Sequence, residues 1–213
     1  MTLPAEKLIT INDRGARVAT TFGSVTSGGA NMVFIKKLTA STSSTLTFHN
    51  GTSSVVLDST YKEYIFTFNN LHPSADDAVL QFQANAVGGA DFNETITSTS
   101  FRAKHDEGDS STSLAYQASG DQAQGTSFQP LARFFEGGDN DGSLSGQLHI
   151  FNPSNTTFVK HFIARTIMME TDGGANEYYT AGYFNTTAAL DEFQFSLASG
   201  TIDSGDICLY GIL

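Results

Sequence analysis

The sequence has one cysteine, no tryptophan, four prolines and 15% charged residues. Cys208 alone cannot form an intrachain disulfide, so packing and backbone hydrogen bonds must stabilise the fold. The lack of tryptophan removes the flat indole on which a sugar ring could stack. Residues 1–6 do not begin a signal peptide, and no segment reaches the roughly 18 apolar residues of a membrane span. We expect a soluble protein, made in the cytosol, without membrane insertion.

Basic side chains are also scarce. The chain has 11 lysines and arginines against 22 acidic residues, which gives a formal charge of −11. The only adjacent basic pair is Lys36 and Lys37. Nucleic-acid binding draws much of its affinity from lysine and arginine side chains that neutralise phosphates. We therefore expect no nucleic-acid partner, and the same charge disfavours anionic membrane surfaces.

Short apolar alternations separated by turn residues begin at Met32. In Tyr61–Asn69, the side chains of Tyr64, Phe66 and Phe68 fall on one face, a period of two that is typical of a β-strand. Turn clusters recur about every 8–12 residues, a spacing that favours a sandwich or barrel over βαβ units. The pattern predicts one antiparallel β-sandwich domain over residues 32–213, of the jelly-roll type.

Several elements carry specific predictions. The Asn-Gly pair at 50–51 predicts a hairpin turn with Ser54–Asp58 as the return strand. The spacing of apolar residues in Phe128–Phe135 predicts a short helix or helical turn. Phe158–Met169 is apolar on both faces, which predicts a central strand that is buried on both sides. The final residues, Leu209–Leu213, are predicted to form a strand that closes a sheet.

The first 31 residues differ from the rest. Thr20–Asn31 is rich in glycine, serine and threonine and has no apolar period. Such a segment cannot bury enough apolar surface to fold by itself. Residues 1–31 are therefore predicted to form an extended N-terminal arm, either disordered alone or laid along a neighbouring subunit.

An acidic, glycine-rich turn is the sharpest candidate for a metal site. Glu136, Asp139 and Asp141 could supply oxygen ligands to a calcium ion. The EF-hand spacing fails because Ser143 and Leu144 follow, and no glutamate occupies the closing position. A solvated turn built from residues that tolerate unusual backbone angles is the favoured interpretation, so no metal site is predicted.

No catalytic motif is recognisable either. The sequence lacks a G-x-S-x-G elbow and a phosphate-binding loop. A glycosidase needs two carboxylates about 5–10 Å apart, and the nearest candidates, Glu63 and Glu192, are predicted to face solvent. We expect no enzymatic activity, no catalytic residue and no cofactor.

Three groups of residues resemble segments of uncharacterised virion structural proteins from tailed bacteriophages, notably those of marine bacteria and cyanobacteria. They are Asp58–Phe66 with Leu71–Pro73, Phe151–Ser154 with Phe158–Phe162, and the closing Ser204–Ile212, which contains the Leu-Tyr-Gly-Ile ending of those proteins. The resemblance covers residues 32 to the end. It implies a β-sandwich on a virus particle and transfers no catalytic residue.

The resemblance leaves several roles open. The leading expectation is a tail-fibre or appendage module for host attachment, assembled in the host cytoplasm as a symmetric homo-oligomer, expected to be a homotrimer. Its arm would contact neighbouring virion proteins, and a host-surface receptor is a further expected partner. The alternative is a capsid decoration protein that stabilises the head. A tail-associated polysaccharide-degrading enzyme is the least favoured role.

Overall fold

The computed structural model describes residues 32–213, so the arm predicted over residues 1–31 lies outside the described part. The described chain contains twelve strands, and all neighbouring strands pair antiparallel. The strands are β1 (Met32–Thr39), β2 (Thr45–His49), β3 (Glu63–Pro73), β4 (Ala78–Ala86), β5 (Ile96–Asp106), β6 (Thr112–Tyr116), β7 (Gln129–Phe135), β8 (Leu144–Phe151), β9 (Lys160–Met169), β10 (Gly174–Phe184), β11 (Leu190–Leu197) and β12 (Ile202–Ile212). Over residues 32–213, no helix is long and apolar enough to cross a membrane.

The strands form two packed sheets in a jelly-roll arrangement. One sheet has the order β1-β12-β3-β8-β9-β10-β5-β6, and the other has the order β2-β11-β4-β7. The chain passes from one sheet to the other after β1, β2, β3, β4, β6, β7, β10 and β11. This repeated crossing winds the two sheets into nested Greek keys. The predicted all-β sandwich is confirmed.

Two additions make one sheet twice as wide as the other. The β8–β9 hairpin is inserted between β3 and β10, which would be neighbours in a jelly roll of two four-stranded sheets. β12 and β1 then extend the sheet beyond β3. The C-terminal residues form a strand, as predicted, but β1 lies outside it, so β12 is an inner strand.

An aromatic core fills the space between the sheets. Tyr64, Phe66 and Phe68 of β3 are buried on the inner face, as their alternation predicts. Phe195 of β11 lies among four rings from both sheets, with centroids 5.0 to 6.2 Å away. These rings belong to Phe48, Phe66, Phe68 and Phe82. The cluster joins the two sheets because each sheet supplies one face of it.

The return strand predicted at Ser54–Asp58 does not exist. The Asn-Gly turn does form, and Gly51 has a φ of +76°. Residues 54–58 nevertheless run as a loop that buries Val55 and Leu57 in the core, while β2 pairs with β11 instead. The turn was predicted correctly, but the chain after it forms a loop instead of a strand because Val55 and Leu57 are buried between the sheets.

The helical turn predicted at Phe128–Phe135 is wrong, because this segment is strand β7. Two register shifts against β4 leave Leu131 and Phe134 unpaired as β-bulges. The residues paired with inward-facing positions of β4 are Gln129, Ala132 and Phe135. Bulges therefore space these residues by three, which imitates a helical period. β7 is an edge strand, where Pro130 is tolerated.

The strand predicted within Phe158–Met169 is confirmed, but the prediction that both of its faces are buried is wrong. β9 is a central strand of the eight-stranded sheet, but only one of its faces lies in the core. Phe162 and Ala164 are buried, whereas Ile163 and Ile167 are 53% and 47% exposed. Within residues 32–213, no second layer covers the outer face of this sheet.

A buried lysine stands at the start of β9. The Lys160 side chain has no exposed surface, and its Nζ donates to the carbonyl oxygens of Phe158 at 2.8 Å and Thr186 at 3.1 Å. Burial lowers the pKa of the Lys160 ammonium because the charged form loses its water. The folded protein therefore releases this proton at a lower pH than the unfolded chain does.

Replacement of Lys160 with methionine is expected to change the pH dependence of stability. Between the lowered folded-state pKa and the ordinary value of 10.5, the unfolded chain binds more protons, so the native protein gains stability as pH rises. Denaturant unfolding of both proteins at about pH 7 and about pH 9.5 measures this. The free energy of unfolding of the native protein minus that of the Lys160→Met variant should rise with pH, and a value that stays constant or falls would contradict the assignment.

Candidate functional site

In the glycine-rich turn, the buried carboxylate of Glu136 accepts hydrogen bonds from backbone amides. Glu136 is only 5% exposed, and its Oε1 accepts hydrogen bonds from the amides of Gly138 at 2.6 Å and Asp139 at 3.1 Å. Asp76 Oδ1 accepts from the amides of Gly137 and Gly138 at 3.1 and 2.5 Å. The neighbouring Glu136 carboxyl and these two amides lower the pKa of Asp76. The carboxylates shape the turn.

The structure does not bring the three candidate calcium ligands together. Glu136 turns back onto the loop, while Asp139 and Asp141 lie on its exposed side. Across residues 32–213, no group of three or more histidine, cysteine, aspartate or glutamate side chains is arranged to hold a metal ion. The Glu136 carboxylate is used within the loop, where it accepts hydrogen bonds from backbone amides.

Calcium is therefore expected to leave thermal stability unchanged. Even a weak site with a Kd of about 1 mM would add about 1.4 kcal/mol at about 10 mM calcium. In a domain of this size, that would raise the melting temperature by about 3–6 °C. Thermal melts with calcium and with magnesium as the control should coincide, and a calcium-specific rise of this size would show that a site exists.

Glu63 and Glu192 cannot act as a pair of catalytic carboxylates. Glu63 lies on the outer face of the eight-stranded sheet, where its Oε1 is 2.5 Å from Nδ1 of His149. Glu192 lies on the outer face of the other sheet, with its Oε1 3.3 Å from Nδ1 of His49. The whole sandwich separates the two carboxylates, and both face solvent as predicted.

A partly buried cluster of ion pairs lies near one end of the sandwich. The Glu170 carboxylate is 5% exposed and accepts from Nη1 of Arg102 at 2.7 Å and from Nδ2 of Asn176 at 2.9 Å. It also forms an ion pair with Lys104, whose second partner is Asp172 at 2.5 Å. The contact with Asp172, and to a smaller extent the contact with Glu170, raises the pKa of the Lys104 ammonium. The cluster links β5, β9 and β10 and leaves no charged group poised for chemistry.

The outer face of the eight-stranded sheet is the surface that the structure leaves open. Its side chains form rows perpendicular to the strands. One row across β6, β5, β10 and β9 consists of Tyr116, Phe101, Tyr179 and Arg165. The rings of Phe101 and Tyr179 stack with centroids 4.6 Å apart and planes 8° apart, and the Arg165 guanidinium lies 5.4 Å from the centre of the Tyr179 ring. We call this row the aromatic ridge.

A shallow hollow lies beside the ridge on the same face. The row of side chains next to the ridge contains Ile163, Ala181 and Thr99. The short side chains of Ala181 and Thr99 form the floor of the hollow. The hollow has a volume of about 560 Å³. Its outward-facing lining residues are Thr97, Thr99, His161, Ile163, Ala181 and Tyr183.

The acidic side chains in the strand rows of this outer face each lie beside a basic or histidine side chain. The acidic side chains in its strand rows are Glu63, Glu177 and Asp206. Their respective partners are His149, Arg165 and Lys37, the last at 3.2 Å. Most of the other acidic residues of the described chain lie in loops between strands, and two of them, Glu107 and Asp141, border one end of this face beside Ile167.

The outer face of the four-stranded sheet has the opposite character. Its exposed rows carry polar side chains that bond to one another, such as Gln194 Nε2 to Thr47 Oγ1 at 3.0 Å and Gln81 Nε2 to Ser196 Oγ at 3.3 Å. Gln83 is fully buried beneath loop carbonyls. The two faces therefore differ in chemistry as well as in width.

No protein-family model and no curated protein matches this sequence. The function must therefore be inferred from the fold and its exposed surfaces. Sequence reasoning missed the outer face because it assigned the outward residues of Phe158–Met169 to a second buried layer. The signal was present in the apolar residues at alternate positions, such as Ile163 and Ile167, but their burial could not be judged without the topology.

Proposed function

We propose that this protein is a structural component of a tailed-bacteriophage virion, an appendage or tail-fibre module that serves host attachment. The observation that carries the proposal is the group of exposed aromatic and aliphatic side chains on the outer face of the eight-stranded sheet, among them Phe101, Tyr116 and Ile163. Monomeric proteins rarely expose large contiguous apolar patches, and such patches commonly mark interfaces with other proteins. A subunit of a larger assembly has a use for this surface.

The positions of the phage-like segments support the proposal. Tyr64 pairs with Gly211, and Glu63 pairs with Phe151 on the other side, so three of the segments meet in β12, β3 and β8. The segment at Phe158–Phe162 enters β9, the next strand of the sheet. The resemblance therefore falls on one continuous block of the fold. The jelly roll is also an architecture used in viral capsid and lectin domains.

The proposal includes an assembly and a location. The subunit would form a symmetric homo-oligomer, expected to be a trimer, and residues 1–31 would contact a neighbouring virion protein. In a fibre, the attachment function further requires a host-surface receptor. The chain would assemble in the host cytoplasm and remain in the released particle.

Antibodies raised against residues 32–213 test the proposal on purified phage particles. Gold labelling at the tail, with a few to a few dozen copies per particle by quantitative mass spectrometry, would support the fibre role. Labelling over the whole head with hundreds of copies would replace it with the decoration role. Absence of the chain from washed particles would refute a virion function.

The enzymatic alternative has a separate test. Purified protein spotted on lawns of the host bacterium, and incubated with its extracted surface polysaccharide, should release no reducing sugar. A commercial glycosidase acting on its own substrate serves as the positive control. Sugar release that survives replacement of both Glu63 and Glu192 with glutamine would reveal an active site that does not depend on these two carboxylates.

A further inference from the structure

We propose that the outer face of the eight-stranded sheet is covered by another copy of the same chain. This names the partner of the apolar surface and holds whether or not the protein belongs to a virion. Four features of the described residues favour a second copy: the exposed apolar side chains, the area, the charge and the relief of the face.

The exposed side chains of this face are those that protein interfaces use. Tyr116 and Leu114 of the edge strand β6 are 58% and 76% exposed, and Phe101 next to them is 41% exposed. Ile163 and Ile167 add aliphatic surface towards the centre of the sheet. Aromatic side chains are enriched at interfaces because they bury a large area at a small cost in conformational entropy.

The area of the face suffices for a stable contact. Eight strands about 4.8 Å apart span about 38 Å, and eight residues of strand cover about 27 Å, which gives a footprint of about 1,000 Å². A standard interface buries about 800 Å² on each partner. A second sheet packed face to face could therefore remove most of these side chains from water.

The charge distribution permits contact between two copies of this chain at the aromatic ridge and the hollow. Two molecules that each carry a charge of −11 repel through most of their surfaces. On the outer face, each of Glu63, Glu177 and Asp206 is already paired with a basic or histidine side chain. The only carboxylate in the strand rows beside the aromatic ridge and the hollow, that of Glu177, is paired with Arg165, so like charges do not oppose contact between two copies there.

The relief of the face also suits self-association. The aromatic ridge stands beside the hollow floored by Ala181 and Thr99. A projection and a recess on the same surface allow the ridge of one copy to enter the hollow of another, which is the complementarity that contacts between identical subunits require.

Sedimentation equilibrium of the full chain over a range of concentrations tests this inference. The native protein should associate, and Ile163→Glu should weaken association at least tenfold because it places a carboxylate in every copy of the contact. Thr47→Glu is the matched control, since it adds the same charge to the outer face of the other sheet. That control should associate like the native protein.

Ile167→Gln is a milder second variant that adds no charge, and it should also weaken association. Melting curves of all variants show whether the fold is intact, since every substituted side chain is at least partly exposed. A native protein that stays monomeric at all concentrations would overturn the inference. Association that Ile163→Glu and Ile167→Gln leave unchanged in folded protein would overturn it as well. Loss of self-association would leave the virion test by antibody labelling unaffected.

Discussion

A variant that ends at Ile207 is expected to be insoluble or to unfold without a cooperative transition. The deletion removes Cys208–Ile212, which form the second half of β12, together with Leu213. This half lies between two other strands, with Lys37 paired to Cys208 on one side and Tyr64 paired to Gly211 on the other. The backbone hydrogen bonds of both neighbours would lose their partners.

The core would be opened by the same deletion. Leu209 is fully buried, and the ring of Tyr61 packs so closely over Gly211 that a Cβ at this position would overlap it. Loss of these contacts, together with the separation of β1 from the sheet, combines several costs of about 1–3 kcal/mol each. Their sum is comparable to the whole stability of an ordinary domain.

Soluble yield and thermal melting followed by circular dichroism measure this effect. The control variant lacks only Leu213, which is 71% exposed and lies beyond the strand. That variant should melt like the native protein. Cooperative melting of the variant ending at Ile207, at the native temperature, would show that the C-terminal strand is dispensable.

Replacement of Phe195 with alanine should lower the free energy of unfolding by about 3–5 kcal/mol. Phe195 is fully buried and contacts rings from both sheets, with the nearest centroid, that of Phe66, 5.0 Å away. The vacated volume cannot be refilled easily because the neighbouring rings are held by two separate sheets. In a chain of this length, the melting temperature should fall by about 10 °C.

Denaturant titration of Phe195→Ala and of Phe158→Ala compares the loss of a buried phenylalanine with the loss of an exposed one. Phe158 is 68% exposed, so its replacement should change stability by less than about 0.5 kcal/mol. Phe195→Leu, which retains most of the apolar volume, should recover part of the loss. Equal effects of the two alanine substitutions would mean that the aromatic cluster does not hold the sheets together.

The two sheets have different tasks in the proposed assembly. The narrow sheet supplies one wall of the aromatic core and presents polar side chains outwards. The wide sheet supplies the other wall and presents the aromatic ridge and the hollow. Because these functions lie on opposite faces of the same strands, a substitution at Ile163 should affect association more than folding.

Much of the fold could be predicted from the sequence because alternation is a local property. Tyr64, Phe66 and Phe68 face the core because successive side chains of a strand point to opposite sides. Local patterns failed where tertiary packing intervened, as in the bulged strand β7, whose inward residues acquired a helical spacing.

The candidate surface was harder to predict than the core. The apolar residues on both faces of β9 were visible in the sequence, but a strand covered on both sides and a strand with an exposed apolar face have the same pattern. The acidic turn was the opposite case. Its composition suggested a metal site, while the backbone amides that donate hydrogen bonds to Glu136 became apparent only in the folded loop.

By itself, the sequence determined that this is an all-β protein without a disulfide framework, because the period of two and the single cysteine depend on no distant contact. Only the tertiary structure decided which strands pair, that β12 lies inside the sheet, and that Phe101, Ile163 and Tyr179 share one open face. Strand order is set by pairings between residues far apart in the chain, and a chain position alone carries no record of which face will be covered.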